Sequence, residues 1–343
     1  MLNGIYILDT DAFDLVYGES ERADIARHVH MVGHKTRAEI TANPAVLSDV
    51  DVIFAGWGMA TLDDTLLAAA PRLKAVFYAA GAAAWLTQNA IDRDIKVTTA
   101  QIANSVPVAE YTLAMILLSL KHAFQLAHQT RSGRYFPDRN GCPGCYGATV
   151  GLISYGTVAK VLRERLRAFD LNVLAYDPFL TADEAAADDI ELADLDEVFE
   201  RSDVVSLHTP LLPETYGLIT GHHIASMKLG ATFINTARGP VVREEEMLDV
   251  LSRRLDLQAV LDVTHVEPPA PQSRIYSLPN VLLTPHIAGS AGLECRRMGR
   301  HMVHELERFL RGEPFATPLD FSRLSQTSNR PKCTTGSVVA ASH

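Results

Sequence analysis

Three side chains capable of acid–base and electrostatic chemistry each follow a short apolar run typical of a β-strand. They are Arg238 in ATFINTARGP, Glu267 in AVLDVTHVEPP and His286 in VLLTPHIAGS. An arginine holds a carboxylate or polarises a carbonyl group, a histidine moves a proton near neutral pH, and a glutamate orients the histidine. Together they predict a site that holds an organic acid and transfers a proton at its oxygen, as a 2-oxo or 2-hydroxy acid requires.

The elements that must position these residues alternate between strands and helices in two series. The first hundred residues contain four predicted strands, GIYILD, DVIFAGW, LKAVFYAA and KVTTA, and two predicted helices, PAVLSD and TLDDTLLAAAP. The second series contains six predicted strands, from TVGLIS to VLLTPH, and between the series a single apolar helix of about six turns is predicted from Pro107. Uniformly apolar strands indicate parallel sheets, whose carboxyl ends share one edge. Arg238, Glu267 and His286 are therefore expected to converge.

Composition restricts the class of protein and its partners. The 343 residues are 47% hydrophobic and 21% charged, which suits two globular domains, and the formal net charge of −10 argues against nucleic acid or an anionic membrane as partner. The longest apolar run, LAMILLSL, is too short to span a bilayer. Only four cysteines occur, and the first residues lack the pattern of a secretory signal. We expect a cytoplasmic protein.

The turn after TVGLIS resembles a dinucleotide-binding fingerprint. It reads Ser154-Tyr155-Gly156-Thr157-Val158-Ala159, or S-x-G-x-x-A, where G-x-G-x-x-G/A is usual. Gly156 would let a pyrophosphate approach the N-terminus of the following helix. Ser154 stands in place of the first glycine, so we expect a turn without a positive φ at that residue.

Asp177 ends the next predicted strand, LNVLAYDPF, about twenty residues beyond the glycine turn. At that position a carboxylate accepts hydrogen bonds from ribose hydroxyls and repels a 2′-phosphate, so NAD is favoured over NADP. The alternative is that Asp177, which precedes Pro178, only caps a turn or a helix.

Longer stretches resemble one family, the NAD-dependent D-2-hydroxyacid dehydrogenases. They are NSVPVAEYTLA, VVSLHTPLLPETYGLIT, MKLGATFINTARGPVV, AVLDVTHVEPP and LPNVLLTPHIAG, within roughly residues 70–315. The resemblance implies an α/β fold of two doubly wound parallel-sheet domains. A Rossmann NAD-binding domain (107–292) would be inserted into a smaller flavodoxin-like substrate domain (1–106 and 293–324), followed by a flexible tail (325–343). It also implies a homodimer.

The resemblance further implies roles for individual residues. Arg238 would bind the substrate, His286 would be the proton donor, and Glu267 would be the hydrogen-bond partner that favours the imidazolium. Asp262 would meet the nicotinamide carboxamide. The implied cofactor-binding residues are Tyr155, Gly156, Thr157, Val158, Asp177, Thr209, Pro210, Thr236, Ala237, Asp262 and Gly289.

The loop YAAG matches the family's loop whose amides meet the substrate carboxylate, which implies substrate contacts at Tyr78, Ala80 and Gly81. The chain departs from the family's pattern at four positions. Ala79 stands where glycine is common, Ala83 where aspartate often lies, and Thr157 where arginine is frequent; the fourth is Ser154.

The sequence therefore predicts an enzyme that transfers a hydride between NAD(H) and a D-2-hydroxy or 2-oxo acid, with no metal. Two alternatives remain. One is an NAD-sensing binding protein like the family's corepressor members, and the other is a family member that acts on formate or phosphite. The pair Cys142 and Cys145 has the spacing of a redox dithiol but lies in a glycine-rich loop, so we expect no redox role.

Overall fold

The computed structural model describes residues 1–81, 85–133 and 139–319. The chain divides into two compact units: the first comprises residues 1–14, 19–99 and the segment from Met302, and the second comprises residues 15–18 and 100–301. The boundaries predicted after residues 106 and 292 both fall inside the second unit. Ala83 and the predicted tail 325–343 lie outside the described residues.

The first unit is built on a parallel sheet with helical connections. Its elements in chain order are β1 (Leu2–Ile7), α1 (Thr10–Val16), α2 (Glu19–Ala26), β2 (Val29–Lys35), α3 (Arg37–Ala42), β3 (Val52–Ala55), α4 (Asp64–Ala69), β4 (Ala75–Tyr78), α5 (Gln88–Asp92) and β5 (Lys96–Thr99). Among the described residues the sheet has five parallel strands in the order β2-β1-β3-β4-β5. Ile5 pairs with Ile53 in its centre, and both are fully buried.

In the first unit one strand was missed by the sequence analysis and one predicted helix is wrong. Strand β2 was not predicted, because its sequence VHMVGHK lacks an apolar run, and it lies at the edge of the sheet with mostly exposed or half-buried side chains. The segment PAVLSD forms a short 3-10 turn, Pro44–Leu47, instead of an α-helix.

The second unit contains a larger sheet. Its elements are α6 (Gln101–Ser119), α7 (Ala123–Arg131), β6 (Thr149–Ile153), α8 (Thr157–Leu166), β7 (Asn172–Tyr176), α9 (Ala182–Ala187), β8 (Glu191–Leu192), α10 (Leu195–Arg201), β9 (Val204–Leu207), α11 (Gly221–Ser226), β10 (Thr232–Asn235), α12 (Glu244–Arg253), β11 (Gln258–Leu261), β12 (Val281–Leu283) and α13 (Cys295–Leu310), whose last residues belong to the first unit. Within the described ranges seven parallel strands run in the order β12-β11-β10-β9-β6-β7-β8. The predicted architecture of two parallel-sheet α/β domains is confirmed, although the short strand β8 was not predicted.

The order of the strands reverses between β6 and β9. At such a switch point the loops after the two strands diverge to opposite faces of the sheet, which opens a crevice for a ligand beyond their carboxyl ends. The loops that follow β6, β7, β9, β10, β11 and β12 all lie at this edge and carry the predicted cofactor and catalytic residues.

The long apolar helix differs from its prediction. Two helices replace the single one that was predicted. Helix α6 begins at Gln101, before Pro107, and His122, whose φ is 46°, separates α6 from α7. By length and composition α6 is able to cross a membrane, with mean hydropathy 1.3 over an 18-residue window, 44% of which is buried in the protein. The prediction that the longest apolar segment is too short to span a bilayer was therefore wrong, because it counted only LAMILLSL and not the whole of α6. Core helices of globular proteins meet the same criterion.

Candidate active site

Glu267 and His286 are hydrogen-bonded to each other at the carboxyl edge of the larger sheet. The Nδ1 atom of His286 lies 2.7 Å from Oε2 of Glu267, and their side chains are 50% and 40% exposed. Because a carboxylate only accepts hydrogen bonds, Nδ1 carries the proton in this contact. The Nε2 atom therefore faces away from Glu267 and has no partner among the described residues, so it is the ring nitrogen left available to a ligand.

Arg238 follows β10 and presents a charged group without a carboxylate partner in the part of the chain that the structure describes. Its Nη1 donates to the Ala237 carbonyl at 2.6 Å, and the residue is exposed. The buried side chain of Asn235 fixes this turn, since it accepts from the Ala237 amide at 3.0 Å and donates to the Arg238 carbonyl at 3.3 Å. The guanidinium is thus held near the sheet edge with most of its donors available to an anion.

The loop that carries Arg238 packs against the loop that carries Glu267. A β-carbon built on Gly239 would overlap the carbonyl group of Thr264. Thr264 in turn directs its amide towards Oε1 of Glu267, at 3.4 Å. The structure therefore brings the two loops together as the sequence predicts, and the missing side chain at Gly239 is what permits the approach.

The turn between β6 and α8 fits a dinucleotide pyrophosphate. Gly156 caps α8 without a side-chain hydrogen bond, and a β-carbon on Gly156 would meet no atom within 4 Å and would project into open space. Among the described residues the first-turn amides of the ten-residue helix have no side-chain acceptor, and the space beside Gly156 is open to a ligand. Thr157 and Val158 begin the helix and are half-buried, whereas the Tyr155 ring is buried, which leaves only its backbone at the turn.

Ser154 corrects one prediction. It adopts a φ of 71°, the left-handed conformation that the usual glycine provides, instead of a turn that avoids it. Its hydroxyl lies 2.8 Å from the Thr209 hydroxyl, which joins the loops after β6 and β9 across the switch point. The hydrogen bond offsets part of the conformational cost, about 1–2 kcal/mol for a non-glycine residue.

Asp177 lies where the ribose site is predicted, and it also organises its own loop. Its Oδ2 accepts from the Tyr155 amide at 2.7 Å, and its Oδ1 accepts from the Phe179 amide at 2.8 Å, which is the turn-capping geometry of the alternative interpretation. Each carboxylate oxygen retains a lone pair, so the half-buried side chain is also able to accept from hydroxyl groups.

The remaining predicted cofactor residues lie along the same edge: Thr209 and Pro210 follow β9, Thr236 and Ala237 follow β10, Asp262 follows β11, and Gly289 follows β12. Asp262 is 2% exposed, and its carboxylate accepts from the amides of Ile287 and Ala288, both at 2.8 Å. The carboxylate is therefore engaged with the loop of His286.

The predicted substrate residues Tyr78, Ala80 and Gly81 lie in the first unit, at the end of β4. The Ala79 amide donates to the Ala55 carbonyl, and the Ala80 amide donates to the Tyr78 carbonyl. The Tyr78 side chain is buried, and burial raises its pKa. Among the described residues the Gly81 amide has no acceptor, and a β-carbon there would meet open space. Of residues 78–81, Gly81 therefore has a backbone amide left available for a ligand.

Several residues near the site were not singled out from the sequence. Asn104 Oδ1 accepts from the Ser290 amide at 3.0 Å, and the Tyr111 hydroxyl lies 2.8 Å from the Thr284 hydroxyl. Asn104 and Tyr111 both belong to NSVPVAEYTLA. The polar residues of this otherwise apolar stretch were the only sequence feature that indicated contacts near the site. His208 follows β9, contacts the Ser206 hydroxyl at 3.0 Å, and has its pKa lowered to about 4 by burial.

Comparison with known proteins gives one family. The profile described as D-isomer specific 2-hydroxyacid dehydrogenase, NAD binding domain, matches residues 113–288. The chain is 36% identical over 259 residues to a glyoxylate reductase of Thermofilum pendens, which covers 74% of this chain and 76% of that protein. It is 32% identical over 225 residues to a D-3-phosphoglycerate dehydrogenase of Archaeoglobus fulgidus, which covers 66% of this chain and 43% of that longer protein.

Among solved structures, a phosphoglycerate oxidoreductase from Rhizobium etli aligns with a TM-score of 0.79 at 20% identity, covering 94% of this chain and 100% of that one, and it shows the shared fold. Two other findings show the family as well as the fold. They are the profile match and the 36% identity to the glyoxylate reductase, 76% of whose length is covered. The chain belongs to the D-isomer specific 2-hydroxyacid dehydrogenases, a family of NAD-dependent oxidoreductases.

Proposed function

We propose that this protein interconverts a 2-oxo acid and the corresponding D-2-hydroxy acid, with His286 as the proton donor. The observation that carries the proposal is the 2.7 Å contact between His286 Nδ1 and Glu267 Oε2, which leaves Nε2 directed away from Glu267. The Arg238 guanidinium, without an ion pair in the described residues, supplies the cation that an acid substrate requires.

Each of these residues has a defined task. Arg238 binds the substrate carboxylate and polarises the carbonyl oxygen, which stabilises the negative charge that develops there. His286 donates its Nε2 proton to that oxygen, while Glu267 stabilises the imidazolium before transfer and holds the ring afterwards. Bound NADH supplies the hydride that completes the reduction. Because half of the His286 side chain is exposed, solvent is able to restore its proton.

Asp177 supports a preference for NAD over NADP. The 2′-phosphate that NADP carries on its adenosine ribose would lie next to this carboxylate and be repelled by it. The carboxylate accepts two amide hydrogen bonds and has no ion pair among the described residues. NAD lacks the 2′-phosphate, so it avoids this repulsion and presents ribose hydroxyl groups that are able to donate hydrogen bonds to Asp177.

The substrate is a small 2-oxo or 2-hydroxy acid, and relatives with different substrate names suggest which acids to test. One relative is named for glyoxylate, another for hydroxypyruvate and a third for 3-phosphoglycerate. We further infer that the protein is a cytoplasmic homodimer. The net charge of −10 supports the absence of a nucleic acid or anionic membrane partner.

The experiment is oxidation of NADH by the purified protein with glyoxylate, hydroxypyruvate, pyruvate and phosphohydroxypyruvate. Turnover of at least one acid is the expected result. Tight NADH binding without turnover of any acid would instead support the NAD-sensing alternative. Reduction of NAD by formate or phosphite, together with no activity on the four acids, would support the alternative that the protein acts on formate or phosphite.

A further inference from the structure

His286 adopts a backbone conformation that requires support from its surroundings. Its φ of 55° is left-handed, and among the described residues only a few others that are not glycine share this property. Such a conformation costs about 1–2 kcal/mol and persists where neighbouring groups impose it. The groups that impose it on His286 therefore also determine where its imidazole lies.

The carboxylate of Asp262 is the first of these groups. The backbone amides of Ile287 and Ala288 point to its two oxygens, both at 2.8 Å, and the His286 amide donates to the Asp262 carbonyl at 2.9 Å. Successive amides beside a left-handed residue form a concavity that binds an anion. Asp262 is nearly inaccessible, so its carboxyl oxygens depend on the hydrogen bonds that they accept.

A third hydrogen bond to the Asp262 carboxylate comes from the Thr284 hydroxyl, which is itself hydrogen-bonded to the Tyr111 hydroxyl. The Thr284 hydroxyl donates to Oδ1 of Asp262 at 2.7 Å, and the Tyr111 hydroxyl lies 2.8 Å from the oxygen of Thr284. Since Thr284 gives its only proton to the carboxylate, Tyr111 donates to Thr284. Burial and the charge of Asp262 raise the pKa of Tyr111 against the opposing effect of Thr284, so the phenol retains the proton that it donates.

We propose that Tyr111 and Thr284 are positioning residues for His286, which act through the carboxylate of Asp262. The chain of hydrogen bonds connects α6, at Tyr111, to the loop after β12, and it fixes the two acceptor oxygens against the amides of Ile287 and Ala288. If one link is lost, Asp262 is free to rotate, and the left-handed turn relaxes. The imidazole then moves away from Glu267. This inference rests on the proposed function for its effect on catalysis but not for its effect on the loop.

The test uses the full-length variants Tyr111→Phe, Thr284→Val and Thr284→Ser, with Tyr146→Phe as the control, because Tyr146 is 89% exposed. The first readout is hydrogen exchange of the amides in residues 284–291 without substrate. Tyr111→Phe and Thr284→Val should accelerate this exchange by about tenfold, the equivalent of one hydrogen bond. Thr284→Ser should restore protection, and Tyr146→Phe should have no effect.

The second readout is steady-state kinetics with the acid that the wild-type protein turns over. The same two variants should lower kcat by about tenfold while the KM for the acid, which Arg238 binds, changes less than twofold, and the double variant should be no worse than Thr284→Val alone. Unchanged exchange in residues 284–291 would overturn the proposal, as would faster exchange with an unaltered kcat. If the wild-type protein turns over no acid, the proposed function fails, and the exchange result still decides whether the chain holds the loop.

Discussion

Gly239 lies directly against the carbonyl of Thr264, so closely that no side chain fits between them. Gly239 follows the arginine of the site, and Thr264 precedes the glutamate by three residues. The spacing of the loops that carry Arg238 and Glu267 is thus set by a backbone contact. A backbone contact cannot be relieved by a change of rotamer.

Gly239→Ala is expected to destabilise the protein and separate these loops. The new β-carbon would overlap backbone atoms of Thr264 and His265, so we expect a loss of about 3 kcal/mol or more in the free energy of unfolding. The matched control is Gly156→Ala, whose β-carbon meets nothing within 4 Å. Urea unfolding should show near wild-type stability for the control, whereas NADH titration should show that the control has lost most of its cofactor affinity. Equal stability of the two variants would contradict this account.

Ser154→Gly and Ser154→Ala separate conformational strain from hydrogen bonding. Both variants lose the 2.8 Å contact with Thr209, but only glycine accepts a φ of 71° without cost. The alanine variant should therefore be the less stable of the two by about 1 kcal/mol in urea unfolding. An alanine variant as stable as the glycine variant would mean that the turn is not left-handed in solution.

His208 predicts a dependence of stability on pH. Burial lowers its pKa to about 4, whereas the pKa in the unfolded chain is about 6.5. Between these values the unfolded chain binds more protons, so the free energy of unfolding should fall as the pH falls from about 6.5 to about 4. Burial also lowers the pKa of His122 and His223, so His208→Asn should reduce this slope without abolishing it. The control is His128→Asn, at an exposed position, and urea unfolding of both variants at several pH values is the measurement. Equal slopes for the two variants would exclude His208 as a source.

Asp177→Ala should weaken NADH binding and reduce the ratio of the affinity for NADH to the affinity for NADPH. It removes an acceptor for the ribose hydroxyls and the charge that opposes a 2′-phosphate, and it also releases the Tyr155 amide. We expect at least about a tenfold loss of NADH affinity, with NADPH affinity reduced less or increased. Fluorescence titration with both cofactors measures the ratio. An unchanged ratio would leave Asp177 with its turn-capping role alone.

The sequence predicted that Arg238, Glu267 and His286 lie at one edge of the sheet, because parallel strands deliver their next residues to the same edge. Glu267 and His286 are 19 residues apart in the chain and in contact in the structure, and neighbouring strands β11 and β12 explain why. Strand β2 was missed because an edge strand does not need an apolar run. The left-handed Ser154 was missed because its support, the Thr209 hydroxyl, comes from a strand that is adjacent only after folding.

The residues around Asp262 illustrate a further limit of prediction from one sequence. Tyr111 and Thr284 are separated by 173 residues, and neither has a type that signals chemistry by itself. The single predicted helix from Pro107 failed for a related reason, since apolar periodicity continues through the break at His122. Local patterns identify groups that do chemistry, but they do not identify the groups that hold them in place.

The central claim, that His286 is the proton donor in reduction of a 2-oxo acid, is tested most directly by His286→Ala. With the best acid from the panel, kcat should fall by about 10²- to 10⁴-fold, because a general acid is removed. The dissociation constant for NADH should stay within about twofold of the wild-type value, and His128→Ala should behave as wild type. A His286→Ala variant that reduces the acid at the wild-type kcat would contradict the account.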